Sequence, residues 1–178
     1  MHRSPRVLAV EGPDGAGKTS IIRRLSERLG ATAVAPFSGE VGAAMRALHE
    51  SGDYEHVHRM ALDTLAGILA GQRDTPALVF DRHWLSVLAF TAPRFLPLWR
   101  PLPPTIVCLA EPTVIKARLE ARGTTAEELA ASDGIVARYR ALAAEHGLTV
   151  IDTGGATVEE SVARMLALWD LRVGAPAG

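Results

Sequence analysis

Cysteine occurs once in the 178 residues, at Cys108, so no internal disulfide can brace the chain. Its neighbours Ile106, Val107 and Leu109 mark a buried strand, and the thiol reads as core filler rather than a catalytic group. An excess of one charge sign is also missing, because 19 basic and 20 acidic residues leave a formal net charge of −1. That balance excludes a general attraction to nucleic acid or an anionic membrane, so any anion site has to be local. No apolar stretch reaches the ~18 residues of a membrane span. Met1 to Arg6 leads into the first apolar run without a signal-like segment. The expectation is a cytoplasmic protein with no membrane or nucleic-acid partner. No internal repeat is present. His56 and His58 stand two apart, about 200° around a helix, which is poor geometry for one metal ion. What remains, 48% hydrophobic and 22% charged, suits one soluble domain spanning 1–178.

The stretch Gly12-Pro13-Asp14-Gly15-Ala16-Gly17-Lys18-Thr19 is a complete G-x-x-x-x-G-K-[ST] pattern. It lies between the apolar run Val7 to Val10 and an amphipathic segment that begins at Ser20. Strand, loop and helix in that order form a phosphate-binding unit. Glycines let successive N–H groups turn toward phosphate oxygens, and the helix start adds the positive end of its dipole. The nucleotide-facing residues are therefore Gly12, Asp14, Gly15, Ala16, Gly17, Lys18, Thr19 and Ser20. Lys18 is spaced to reach the β and γ phosphates of ATP, and the Thr19 hydroxyl to ligate Mg2+.

Five short apolar runs recur, at Val7 to Val10, Ala31 to Ala35, Ala77 to Phe80, Thr105 to Leu109 and Leu148 to Ile151. Helical patterns separate most of them, at Ser20 to Leu29, Gly42 to Glu50, Glu55 to Gly71, Leu85 to Thr91, Thr113 to Ala121, Ala126 to Glu145 and Val158 to Trp169. The alternation predicts an α/β fold with a mainly parallel sheet covered on both faces. Pro93, Pro97, Pro101, Pro103 and Pro104 predict a surface connection without regular structure. The tail, from about residue 172 to Gly178, is expected to fray.

In such a sheet ligands gather beyond the carboxyl ends of the strands. Asp81-Arg82 follows the third run directly, where a carboxylate can hold Mg2+ through water and a guanidinium can clamp a second phosphate. After the fourth run, Arg118 and Arg122 stand four apart, a spacing that puts both on one helical face. Phosphoryl transfer spreads negative charge over oxygens that the loop alone cannot surround, so these two cations are candidates to meet it. Gly123 to Ser132, within a lid of about 118–132, is small and polar enough to close over ATP and expel water. Trp84 and Trp99 offer broad faces either to a planar acceptor or to the core. Trp169 reads as a packing anchor.

Glu11 through Thr19, Gly42 through Arg46 with Leu48, Asp81-Arg82, Arg118 with Arg122, and Ile151-Asp152-Thr153 resemble the thymidylate kinases in order and spacing. The resemblance runs from about Val7 to Leu168, and the loop with Asp14 and Asp81-Arg82 is also similar to related P-loop nucleoside kinases. It implies a three-layer α/β/α fold with five parallel strands in the order 2-3-1-4-5, an ATP and Mg2+ site on the loop, and a homodimer. The implied reaction moves the γ-phosphoryl group of Mg-ATP to a nucleoside monophosphate. Carried over by position, Asp14 approaches the sugar 3′ hydroxyl of the acceptor, and Arg82 and Arg46 bind its phosphate. The implied catalytic set is Asp14, Lys18, Asp81, Arg82, Arg118 and Arg122, with Thr19 and Asp81 toward the metal. Some relatives carry an arginine in the phosphate loop, whereas this chain has Gly15 and Ala16. The transition-state cation then falls to Arg118 or Arg122.

The acceptor side departs from the family pattern. Where F-A-x-D-R is usual, this chain reads Met60-Ala61-Leu62-Asp63-Thr64, so Met60 replaces the stacking aromatic and Thr64 the thymine-binding arginine. D-R-Y-x-x-S-x-x-A-Y becomes Asp81-Arg82-His83-Trp84-Leu85-Ser86-Val87-Leu88-Ala89-Phe90. His83 and Phe90 stand for tyrosines, Val87 stands where a polar residue is frequent, and Trp84 adjoins them. A site that reads a base by hydrogen bonds loses discrimination when those partners are gone, so thymine specificity is not expected. Two other readings stay open. One is a kinase for a nucleoside or specialised metabolite with a hydroxyl acceptor; the other is a non-catalytic nucleotide-binding regulatory module.

Overall fold

Near-continuous apolar runs become strands where both faces can be covered. In the computed structural model, which describes residues 5–172, they form β1 (Arg6–Glu11), β2 (Thr32–Val34), β3 (Ala77–Asp81), β4 (Thr105–Leu109) and β5 (Thr149–Asp152). All neighbouring strands pair in parallel, in the expected order β2-β3-β1-β4-β5. The helices are α1 (Lys18–Leu29), α2 (Gly39–Glu50), α3 (Tyr54–Gly71), α4 (Trp84–Phe90), α5 (Pro112–Glu120), α6 (Ala126–Glu145) and α7 (Val158–Arg172). None of them is long and apolar enough to cross a membrane. Residues 173–178, most of the tail expected to fray, lie outside the described residues.

The pleat sends alternate side chains to opposite faces. Leu78 and Phe80 of β3, with Val107 and Leu109 of β4, meet Val57 of α3, Leu88 of α4 and Tyr139 of α6 on one face. Leu8, Val10, Val79 and Cys108 meet Ile21 and Leu25 of α1 and Met165 and Trp169 of α7 on the other. Cys108 is wholly buried and its thiol is pushed up to about 12 by that burial, as befits core filler.

One expectation fails here. The proline-rich connection contains a 3-10 helix, Pro93–Trp99, and ends on a buried tryptophan. Tight i→i+3 turns need few N–H donors, and Trp99 Nε1 donates to His58 Nδ1 at 2.9 Å, which anchors the segment in the core. The segment read as a lid runs into the helix expected at Ala126 to Glu145. Thr125 and Glu128 form a reciprocal capping box, so residues from Ala126 onward are already the first turns of α6.

Candidate functional site

The loop between β1 and α1 has its shape dictated at Gly12. This residue sits at φ +140, and an added Cβ would lie 2.2 Å from the carbonyl oxygen of Cys108 in β4. Only glycine lets the backbone pass so close to the neighbouring strand. Lys18 begins α1, is 6% exposed, and donates from Nζ to the Pro13 carbonyl at 2.8 Å. Burial, then the charge of Arg82, lowers its pKa to about 8 against the opposing pull of Asp81 and Asp14. The loop is held from behind as well. Thr153, just past β5, donates from Oγ1 to the Ala16 carbonyl at 2.8 Å. Arg118 donates from Nη1 to Gly15 O at 3.2 Å and from Nη2 to Thr153 O at 2.8 Å. Thr19 and Ser20, in the first turn of α1, are exposed.

Across the loop stands Arg82, the one non-glycine residue with positive φ, +78, among the described residues. Such a conformation costs roughly 1–2 kcal/mol and needs surrounding structure to hold it. Nη2 donates to Asp14 Oδ1 at 2.6 Å, and Nη1 to Gly12 O, Ser86 Oγ and Tyr139 OH at 3.3, 3.3 and 3.1 Å. The Asp14 carboxylate is 78% exposed on its side chain. Burial pushes its pKa up, but Arg82, Lys18 and Arg122 together outweigh that and leave it lowered. Beneath them, Glu11 is completely buried. It accepts from the His83, Leu85 and Ser86 N–H groups and from the Ser86 hydroxyl. Burial raises its pKa, while Ser86 and Arg82 favour the carboxylate.

A cavity of about 610 Å3 opens on this arrangement. Pro13, Asp14 and Arg82 form its loop side, and Arg46 with Gly42, Met45 and His49 of α2 forms another wall. Val57 of α3 and Ser86, Val87 and Phe90 of α4 line it further, with Arg122, Thr124, Glu128 and Ser132 opposite. Asp14, Arg46, Arg82, Val87, Phe90 and Arg122 thus line one cavity.

Met60, Thr64, His83 and Trp84 do not line that cavity. On α3 it is Val57 that faces it, and the Thr64 hydroxyl, about 10 Å further along the helix, donates to its own helix at Met60 O. His83 follows the left-handed turn at Arg82, which aims its ring at Phe80 and Trp99, with centroids 5.4 and 5.7 Å away. Burial lowers its pKa to about 4. Trp84 is wholly buried and donates from Nε1 to Thr105 Oγ1 at 2.9 Å, so it is core rather than pocket. Arg118 and Arg122 do not share a helical face, because α5 ends at Glu120 and Arg122 lies beyond its cap. Arg118 turns to the phosphate loop and Arg122 to the cavity.

Thr19 and Asp81 border a second cavity, of about 520 Å3, along α1 and β2. Asp81 Oδ1 is buried there without a partner. An orphaned carboxylate oxygen near a hydroxyl fits a hydrated divalent cation, so these residues suit Mg2+. Sequence reasoning gave no role to Glu11, Val57, Ser86 or Tyr139. The available signals were an acid ending an apolar strand, for Glu11, and a serine matching the family's motif, for Ser86.

No protein-family model matches the chain. It is 30% identical to a putative adenylate kinase of Thermococcus onnurineus, over 91% of this chain and 83% of that protein. It is 31% identical to the thymidylate kinase of Xanthomonas oryzae pv. oryzae, over 72% of this chain and 66% of that protein. Among solved structures, the YorR protein of Bacillus subtilis, in complex with phosphorylated GDP, superposes with a TM-score of 0.65 at 21% identity, covering 96% of this chain and 99% of that one. Deoxyadenosine kinase of M. mycoides, with products dCMP and dCDP, gives 0.63 at 14% identity over 93% and 99%. The structural likeness extends to the fold alone. With the phosphate loop, the strand order and the 30% identical relative taken together, the chain belongs to the P-loop nucleotide and nucleoside kinase family.

Proposed function

We propose that this kinase transfers the γ-phosphoryl group of ATP, with Mg2+, to a nucleoside monophosphate, with little discrimination between bases. One observation carries the reading: Arg46, Arg82 and Arg122 line a single cavity that opens on the phosphate loop at Pro13 and Asp14. Three guanidinium groups beside a phosphate site suit an acceptor that already bears a phosphate.

The tolerance toward bases rests on what the cavity lacks. The chain has no asparagine and one glutamine, Gln72, whose Oε1 accepts from Thr75 at 2.6 Å, outside the cavity. Of the four hydroxyl residues on the wall, Ser86, Thr91, Thr124 and Ser132, three already donate within the protein. Ser86 donates to Glu11, Thr91 to Val87 O and Ser132 to Leu129 O. Phe37, Met45, Val57, Val87 and Phe90 offer apolar contact instead.

In this mechanism positioning and charge stabilisation do most of the work. Lys18 would leave Pro13 O for the transferring phosphates. Arg118 keeps Gly15 and Thr153 in register so that the loop N–H groups converge. Arg82 and Arg46 orient the acceptor phosphate, Arg122 adds positive charge from the opposite wall, and the first turns of α6 exclude water. Thr19 and Asp81 would hold Mg2+, which would supply positive charge against the phosphates. A homodimer, implied by the resemblance, and a cytoplasmic location belong to the same proposal, and sedimentation of the pure protein tests the dimer.

The deciding experiment compares kcat/KM across nucleoside monophosphates, nucleosides and unrelated hydroxyl metabolites under identical Mg-ATP. We expect the monophosphates to fall within roughly tenfold of one another, since apolar contacts discriminate weakly. A strong preference for thymidine monophosphate would refute the base tolerance. Turnover of hydroxyl acceptors alone would refute the phosphate acceptor. Binding of ATP without turnover of any acceptor would make the chain a regulatory module.

A further inference from the structure

Arg82 has five N–H donors in a fixed fork, and the face it turns to the cavity depends on which of them are tied down. Both hydrogens of Nη1 point inward, to Gly12 O, Ser86 Oγ and Tyr139 OH. One hydrogen of Nη2 goes to Asp14. This leaves Nε and the second Nη2 hydrogen without an acceptor among the described residues. That is an edge suited to bidentate contact with a phosphate.

The inner contacts have only one possible direction. Glu11 accepts only, and its two oxygens take four donors, from the His83, Leu85 and Ser86 N–H groups and the Ser86 hydroxyl. Ser86 has one proton, and it goes to Glu11. Both its lone pairs are filled, by the Tyr139 hydroxyl at 2.8 Å and by Arg82 Nη1. Tyr139, having given its proton to Ser86, accepts from Arg82. The chain from Tyr139 through Ser86 to Glu11 is therefore polarised toward a buried carboxylate and presents two oxygens to one nitrogen of Arg82.

We infer that Tyr139 and Ser86 are positioning residues for Arg82, turning its Nε–Nη2 edge toward the acceptor phosphate. The inference rests on the reading of Arg82 as an acceptor-phosphate ligand. Neither residue lies where sequence alone connects it to the site, since Tyr139 is on α6, 57 positions from Arg82. The same helix carries Glu128, Ala131 and Ser132 into the cavity wall. Movement of α6 is thereby tied to the orientation of the acceptor arginine. Glu11 fixes the base of the chain by holding the backbone immediately after the left-handed turn.

The test is a double-mutant cycle on the full chain, with Tyr139→Phe, Arg82→Lys and the pair. Tyr139→Phe keeps the buried ring and removes the oxygen. It should raise the acceptor KM roughly tenfold, the weight of one hydrogen bond to a charged group. The KM for ATP should stay near wild type, while the Tm falls by a few degrees because the buried Ser86 Oγ loses a donor and Arg82 an acceptor. In the Arg82→Lys background the same substitution should add less than about twofold, because it acts through the missing guanidinium. An equal loss in both backgrounds would make Tyr139 merely structural and overturn the inference. So would an unchanged acceptor KM in Tyr139→Phe while Arg82→Lys loses affinity. If Arg82→Lys itself leaves the acceptor KM unchanged, the phosphate role of Arg82 falls, and the positioning role with it. Ser86→Ala repeats the cycle from α4, with the same expected loss and the same refuting outcomes, should Tyr139→Phe fold poorly.

Discussion

Replacing Lys18 by methionine should abolish most phosphoryl transfer and also alter how the ligand-free fold responds to pH. The lysine is 6% exposed, its ammonium resting on the Pro13 carbonyl, and burial followed by Arg82 lowers its pKa from 10.5 to about 8. Between those values the unfolded chain binds more protons than the folded one, so stability rises with pH. The contribution is complete above the unfolded value and is lost as pH falls through about 8. It amounts to about 3 kcal/mol in all, or up to about 1.4 kcal/mol per pH unit. Cys108 works in the opposite direction above 9.0, because burial pushes its thiol up to about 12. Comparing wild type with Lys18→Met at each pH largely cancels that term, since both proteins keep the cysteine. Methionine preserves the unbranched stem, leaving the Pro13 carbonyl without its donor at a cost of about 1 kcal/mol. Urea unfolding from about pH 7 to about pH 10 should show wild type gaining on the variant as pH rises. Turnover should fall by on the order of 100-fold or more, as it does when a charge-stabilising donor is removed. Near-normal turnover in the folded variant would refute the phosphate role. Parallel stability profiles would refute the burial argument.

Arg118→Ala and Arg122→Ala should behave differently, because one removes donors to Gly15 O and Thr153 O and the other only lines the cavity. The first should raise the KM for ATP and lower the Tm by a few degrees, roughly 1–2 kcal/mol, and the second should raise the acceptor KM at constant Tm. Matching kinetic and thermal profiles would refute the division. Gly12→Ala should destabilise the fold by about 3 kcal/mol or more, since its Cβ would meet Cys108 O at 2.2 Å. A melting temperature within about 2 °C of wild type would contradict that. His58, lowered to about 4 by burial and then by Arg94, and His83, lowered to about 4 by burial, are held neutral in the fold. Their stabilisation is complete above 6.5 and is lost as pH falls through about 4. Denaturant titrations should show His58→Gln with a shallower acid slope than wild type, and an identical slope would refute the assignment.

The phosphate loop was legible because its chemistry is local. Eight consecutive residues carry the glycines, Lys18 and Thr19, so the pattern is read without knowing that Cys108, Arg118 and Thr153 pack against the loop. Strands were legible because a parallel sheet covered on both faces needs unbroken apolar runs, and Leu78 with Phe80 and Val79 with Cys108 fill both faces. The acceptor wall was not legible in the same way. His83 and Trp84 adjoin Arg82 in sequence, yet the left-handed turn at φ +78 sends all three in different directions. Arg118 and Arg122 have helical spacing, yet α5 stops between them. By itself the sequence determined a strand, a phosphate loop and a helix in an α/β order. Only the tertiary structure decided which side chains meet beyond the strand ends, because Glu11, Arg82, Ser86 and Tyr139 converge through the packing of α4 and α6 on the sheet. No local period encodes a contact between residues 57 positions apart; it exists only once the layers have closed.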